Sequence, residues 1–407
     1  MEREQVHEET DWEKVEVNSV NFPNLHLQMP RPYNDVVLSI TASTTPDPYV
    51  VLHEGTYYMT FTTGSNITIW SSDSLLSLEP RSLKTTIWTP PPNTPYSGDL
   101  WAPELHALDG NWYIYFAADD PRTQHPNHSH RIYVLRGPPT TLSPLDPQSW
   151  TFHGGLTNMP DEQWAIDGTV ITLSSKNYFI YSGWPYGVLH NESRQELYIA
   201  EMASPTSLVP NHLPTCISTP SHSWEFSGRS GINEGPQFLS SPYPQHPWTG
   251  IVFSCAGSWT SEYKMATLKY LGGNPLNQTS WEKSRKPLLT APKSGRPPYG
   301  PGHGNFVNVP GEGGGITETW AVFHATDGRT GWEGRRARVM RVGWNEHGPY
   351  MGCGECGAVA EEIDGFLYGV RKSETQVKME RRRSKSVKGF LVGNVRKGLG
   401  LVRGVLK

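Results

Sequence analysis

Five segments of this chain open alike, with a polar residue able to do chemistry followed at once by a strand-like run. They read Asp47-Pro-Tyr-Val-Val, Glu104-Leu-His-Ala-Leu, Asp167-Gly-Thr-Val-Ile, Glu234-Gly-Pro-Gln-Phe and His303-Gly-Asn-Phe-Val. After a turn, each is followed by a second, apolar run: Tyr57–Phe61, Trp112–Phe116, Tyr178–Tyr181, Gly250–Phe253 and Trp320–Phe323. A third run closes most copies, as in Ile67–Trp70, Arg131–Leu135 and Glu196–Ala200. One supersecondary unit recurring every few tens of residues specifies a propeller or a solenoid. Around a single axis, matching positions on five inner strands converge, and the carboxylates of Asp47, Asp167 and Glu234 meet.

Composition agrees with an all-β body. Gly 40, Pro 35 and only 18% charged residues fit many short strands joined by turns, and 407 residues hold one large domain with appendages. No apolar stretch is long enough to span a bilayer. The net charge of −4 is unevenly spread: residues 371–407 hold twelve Lys/Arg against two Asp/Glu, leaving −14 on the first 370. An acidic body excludes a nucleic-acid partner for the main domain, because phosphate binding needs the opposite sign. Cys216, Cys255, Cys353 and Cys356 are too few and scattered for a disulfide framework. The Cys353-Gly-Glu-Cys356 pair lacks the second pair a zinc centre needs. Sequons at Asn66, Asn127, Asn191 and Asn277 permit secretion, whereas the polar Met1-Glu-Arg-Glu-Gln start has no signal-peptide core, so localisation stays open.

Three regions follow. Residues 1–34 read as a polar, partly ordered lead-in, residues 35–350 as the repeat domain, and 351–407 as a basic tail, disordered or a frayed helix. Ring closure calls for a last strand, and Asp35-Val-Val-Leu-Ser-Ile40 is a candidate to complete the fifth copy beside Arg338–Trp344.

Taken singly, the acidic residues have ordinary explanations. Asp47, between Pro46 and Pro48, suits a turn, and Asp167 and Glu234 each precede a glycine that lets another group come close. Their matching place in the repeat favours a shared site. Glu104, in Trp101-Ala-Pro-Glu-Leu105, is shifted in register and reads as structural.

Pro46-Asp-Pro, Leu100-Trp-Ala-Pro-Glu-Leu, Ala165-Ile-Asp-Gly-Thr, Asn233-Glu-Gly-Pro and Tyr299-Gly-Pro-Gly-His resemble, in order, the blade motifs of glycoside hydrolase family 43. The resemblance covers roughly residues 40–350 and implies a five-bladed β-propeller. His130–Leu135, Tyr181-Ser-Gly-Trp184, Leu197–Met202 and Ser258–Met265 are most similar to its exo-α-L-arabinofuranosidase branch. It implies an inverting hydrolase that releases terminal α-L-arabinofuranosyl units from arabinose-containing plant polysaccharides or oligosaccharides, acting as a monomer. Residue by residue, it implies Asp47 as general base, Glu234 as general acid and Asp167 as modulator of the acid's pKa. It also implies Trp101, Trp184 and Arg335 as substrate contacts, Arg338 as a second arginine near the pocket, and His303 as an axial residue that can hold a cation through water. No cofactor is required on this reading, although a structural Ca2+ or other cation on the axis is allowed. Two positions depart from the pattern: Met340 stands where a glutamine is expected, and Gly304 where a polar residue follows Gly-His. The alternatives are a β-xylosidase of the same fold, a catalytically silent carbohydrate-binding propeller, and, from another class, a protein-interaction propeller, whose Trp-Asp endings are missing here.

Overall fold

The computed structural model of the protein describes residues 37–187, 192, 194–292, 297–309, 317–328 and 331–351. They form a five-bladed β-propeller in which each blade is an antiparallel sheet. The first blade runs Tyr49–His53, Thr56–Thr60, Ile67–Ser72 and Leu83–Trp88, and the second Gly98–Leu108, Asn111–Asp119, Arg131–Pro139 and Thr151–Gly155. The third has Ala165–Leu173, Lys176–Gly183, Arg194–Ser204 and Thr215–Ser218. Ser230–Ser240, Thr249–Cys255, Lys264–Tyr270 and Trp281–Lys283 make the fourth. The fifth takes Tyr299–Val309, Glu318–Thr326 and Arg336–Arg341 from late in the chain and closes with Leu38–Ser39 from its beginning. Leu38 pairs with Val339 and Ser39 with Arg338, so the candidate closing strand does fasten the ring. The third and fourth blades are also joined by a short parallel pairing, Arg194 with Gly231 and Gln195 with Ile232. The expectations for residues 1–34, for the tail from 352 onward and for the Cys353/Cys356 pair lie outside the described residues. No helix among the described residues is long and apolar enough to cross a membrane.

The aromatic second runs explain how the blades hold together. Successive strand side chains point to opposite faces of the sheet. In the second blade, Trp112, Ile114 and Phe116 therefore pack toward the first blade, and Tyr113, Tyr115 and Ala117 toward the third. Both faces are covered, which is why these runs are apolar throughout rather than alternating. The pattern repeats around the ring, giving five apolar layers, one between each neighbouring pair of blades. Both departures from the family pattern are packing solutions. Met340 is fully buried in the layer between the fourth and fifth blades, where an amide would lose its water. A Cβ on Gly304 would stand 2.8 Å from Met265 Sδ and 3.0 Å from Phe323 Cβ.

Candidate active site

The inner strands share a backbone device. A residue with left-handed φ recurs at one place in each: Asp47 (52°), Ala102 (44°), Asp167 (55°), Gly235 (54°) and His303 (47°). In the last four blades it sits inside a break in register, between Trp101 and Glu104, Ile166 and Thr169, Glu234 and Gln237, and Gly302 and Asn305. Such bulges bend the strand and re-aim a side chain. The structure thereby corrects the register inferred from sequence. Asp47, Asp167 and His303 are equivalent, Glu234 lies one residue before the kink, and Glu104 two residues after it.

These positions bring four of the expected residues together on the axis. His303 Nδ1 lies 3.3 Å from Asp47 Oδ1 and 3.9 Å from Asp167 Oδ2. The Gly235 amide donates to Asp167 Oδ2 at 3.0 Å, which ties the aspartate to the peptide that carries Glu234. A Cβ on Gly235 would stand 3.2 Å from the His303 ring, so glycine keeps room for the imidazole. Arg335 is buried with Nη1 3.6 Å from Asp47 Oδ1. Arg338 points elsewhere: its guanidinium pairs with Asp327 at 2.7 Å. Glu104 is buried in the layer below, held by His106 Nε2 at 2.8 Å and by the Gln237 amide.

Two further partners of Asp47 escape a reading of sequence. His324 Nδ1 accepts from the Asp47 amide at 3.0 Å and lies 3.2 Å from its Oδ1, while Thr62 Oγ1 donates to Oδ2 at 2.7 Å. Thr62 and His324 follow Phe61 and Phe323, at the ends of the second strands. Those runs read from sequence as core, yet each second strand returns to the face where the inner strand began, so its last residues border the site.

Electrostatics separates the three carboxylates. Burial alone raises a carboxyl pKa, and neighbouring charge decides the rest. For Asp47, burial is outweighed by His303 and Arg335, and the group stays ionised well below the usual carboxylate range. Glu234 moves the other way, to about 8, through burial and the negative charge of Asp167. Asp167 is raised to about 6 by burial and by Asp47, against the pull of His303 and the Gly235 amide. The His303 pKa rises despite burial because the carboxylates surround it. Burial and Arg335 push His324 down to about 4, so it is neutral with its proton on Nε2. Among the described residues no group of three or more His, Cys, Asp or Glu is spaced to hold a metal ion. The carboxylates around His303 favour its charged form and so place positive charge at that spot.

A shallow cleft lies beside the Asp47 partners His324 and Arg335, which with Tyr299 form its buried wall, and Ser258, Thr260 and Gly331 lie nearer solvent. Two buried donors in this region, His324 Nε2 and Arg335 Nε, have no hydrogen-bond partner among the described residues. Buried polar groups are nearly always satisfied, so unpartnered ones call for a ligand rich in acceptors. Trp101 is half-buried beside the kink of the second blade, its indole stacked on His130 at 3.9 Å. Trp184 requires correction. It is 1% exposed and stacked on Trp164 at 4.8 Å and 10°, so neither face is open to a sugar and it acts as packing.

Residues 38–350 match the family model for glycosyl hydrolases family 43. The chain belongs to that family. Within it, the chain is 30% identical over 314 residues to an extracellular exo-α-(1→5)-L-arabinofuranosidase of Streptomyces avermitilis, covering 74% of this chain and 60% of that protein. It is 29% identical to an enzyme of the same name from Streptomyces chartreusis, covering 68% and 79%. Among solved structures it is similar to an α-L-arabinofuranosidase from Lactobacillus brevis, with a TM-score of 0.66, 28% identity, and coverage of 79% and 97%. This family 43 chain thus spans three-fifths of the length of its Streptomyces avermitilis relative.

Proposed function

We propose that this protein is an inverting glycosidase that removes terminal α-L-arabinofuranosyl units from arabinose-containing oligosaccharides or polysaccharides. The observation that carries the reading is the division of labour among three buried carboxylates around His303: one held ionised, one held protonated, and one between them. Inversion needs a carboxylate on the far face of the sugar to activate water, and a carboxylic acid beside the leaving oxygen. Asp47 meets the first need, since His303 and Arg335 keep it charged and Thr62 fixes its second oxygen. Glu234 meets the second, because its raised pKa keeps a proton available near neutrality. Asp167 keeps the acid's pKa high and, through the Gly235 amide, fixes the peptide on which it sits. In one step, Asp47 takes a proton from water as the water oxygen bonds to the anomeric carbon. The bond from that carbon to the leaving oxygen breaks, and Glu234 gives that oxygen its proton. The unpartnered donors of His324 and Arg335 suit sugar hydroxyls, and the names of the relatives indicate arabinofuranose.

The test sets 4-nitrophenyl α-L-arabinofuranoside beside 4-nitrophenyl β-D-xyloside, with NMR following the anomer first released. Faster cleavage of the arabinoside, with β-arabinofuranose appearing first, is expected. Faster cleavage of the xyloside would make the protein a β-xylosidase. Cleavage of neither would leave a carbohydrate-binding propeller.

A further inference from the structure

We infer that Trp259 and Trp332 form a stacking platform for the second sugar of the substrate, the unit bonded to the terminal arabinofuranose that is released. The inference rests on the arabinofuranosidase reading above and adds a subsite to it.

The loops between second and third strands rim the site, because second strands end on the face where inner strands begin. Residues 256–263 make this loop in the fourth blade, and residues 327, 328 and 331–335 belong to it in the fifth. Each carries a tryptophan that the core does not use: Trp259 is 37% and Trp332 61% exposed, the two exposed tryptophans among the described residues. They are also fastened to one another. Their rings meet edge to face at 6.1 Å and 71°, Trp332 Nε1 donates to Ser258 Oγ at 3.2 Å, and the Gly331 amide donates to the Trp259 carbonyl at 2.9 Å. The pair therefore bridges two blades as a built surface.

Continuity with the catalytic cleft identifies the occupant. Ser258, Thr260 and Gly331, the neighbours of these indoles, form the outer part of the cleft whose inner wall holds His324 and Arg335, both in contact with Asp47. The fourth-blade loop ends at Tyr263, which lies by Glu234 and stacks on His324 at 5.6 Å and 12°. The acid stands beside the leaving oxygen, so the departing chain passes over the fourth blade, toward Trp259. Indole faces suit the C–H faces of a sugar, and the polar rim suits its hydroxyls. A path lined by Ser, Thr, His and Arg fits a polyhydroxylated chain better than an apolar peptide.

The test compares kcat/KM for arabinotriose with kcat/KM for methyl α-L-arabinofuranoside, whose leaving group is too small to reach the platform. Trp332→Ala and Trp259→Ala should each lower the ratio of the two about tenfold, mainly through KM for arabinotriose, the scale of one lost stacking contact. Trp332→Tyr keeps an aromatic face and should recover most of the ratio, which separates stacking from damage to the fold. A ratio within about twofold of wild type in both alanine variants would overturn the platform. Wild-type protein that cleaves neither substrate would instead overturn the arabinofuranosidase reading, and the platform with it.

Discussion

Replacing Asp167 by asparagine isolates the charge that holds Glu234 protonated. The amide keeps the shape and can still accept from the Gly235 N–H, 3.0 Å away in the parent, so the peptide bearing Glu234 stays anchored. What disappears is a negative charge. Glu234 lies at about 8 against an ordinary 4.5, with burial the first cause and Asp167 the second. At an effective dielectric of about 20, like charges within the usual coupling range of about 4–6 Å interact by roughly 3 kcal/mol or a little more, which is about two pKa units. His303, 3.9 Å from Asp167, already offsets part of that charge, which brings the expected drop to between one and two units. Deprotonation of the acid sets the alkaline limb, so the limb in kcat/KM should fall from near pH 8 to between about 6 and 7. At pH 7 that alone is about a fourfold loss for a shift of 1.5 units. The substrate should be arabinotriose, with released arabinose measured across the pH range, because an activated aryl group leaves with little help from an acid. A limb that stays put, or moves to higher pH, refutes the assignment of Asp167 as the group that raises Glu234.

Three further outcomes follow from the same geometry. Asp47→Asn and Glu234→Gln should each lower kcat on arabinotriose by about 10²–10⁴-fold with an unchanged melting profile, because each loses one proton-transfer partner; near-wild-type turnover would contradict the roles. Arg335→Gln removes a cation 3.6 Å from Asp47, which raises the pKa of the base, so the acid limb should move to higher pH; an unmoved limb would show that Arg335 does not tune the base. Met340→Gln, which restores the family's expected residue, should destabilise this protein by about 1–3 kcal/mol in chemical denaturation, since it buries an amide in an apolar layer. No loss there would mean that the side chain finds a partner.

Much of this architecture could be read from the chain, and what could not has physical causes. Recurrence marked the five repeats and the convergence of Asp47, Asp167 and Glu234, and the resemblance to family 43 made the repeats blades of a propeller with His303 on its axis. The register did not follow: a bulge inserts residues without a compositional mark, so Glu234 looked equivalent to Asp47 and Asp167 although it falls one residue before the kink that the two aspartates occupy. Thr62 and His324 were hidden for another reason. They end runs whose earlier residues are core, and nothing in such a run announces the point at which packing gives way to the site. Trp184 shows the limit for aromatics, because the same indole serves as a platform or as filler according to whether another ring covers it, and Trp164 does.

The left-handed vertex recurs in every blade, but its occupants differ: two aspartates, a histidine, a glycine and an alanine. The frame treats the five corners alike and leaves their identity to chemistry. Ala102 is thus a blank corner, already shaped like its neighbours and without a functional group. Evolution or an engineer seeking a new specificity has a ready-made mounting point there, one that asks for a different side chain and no new backbone.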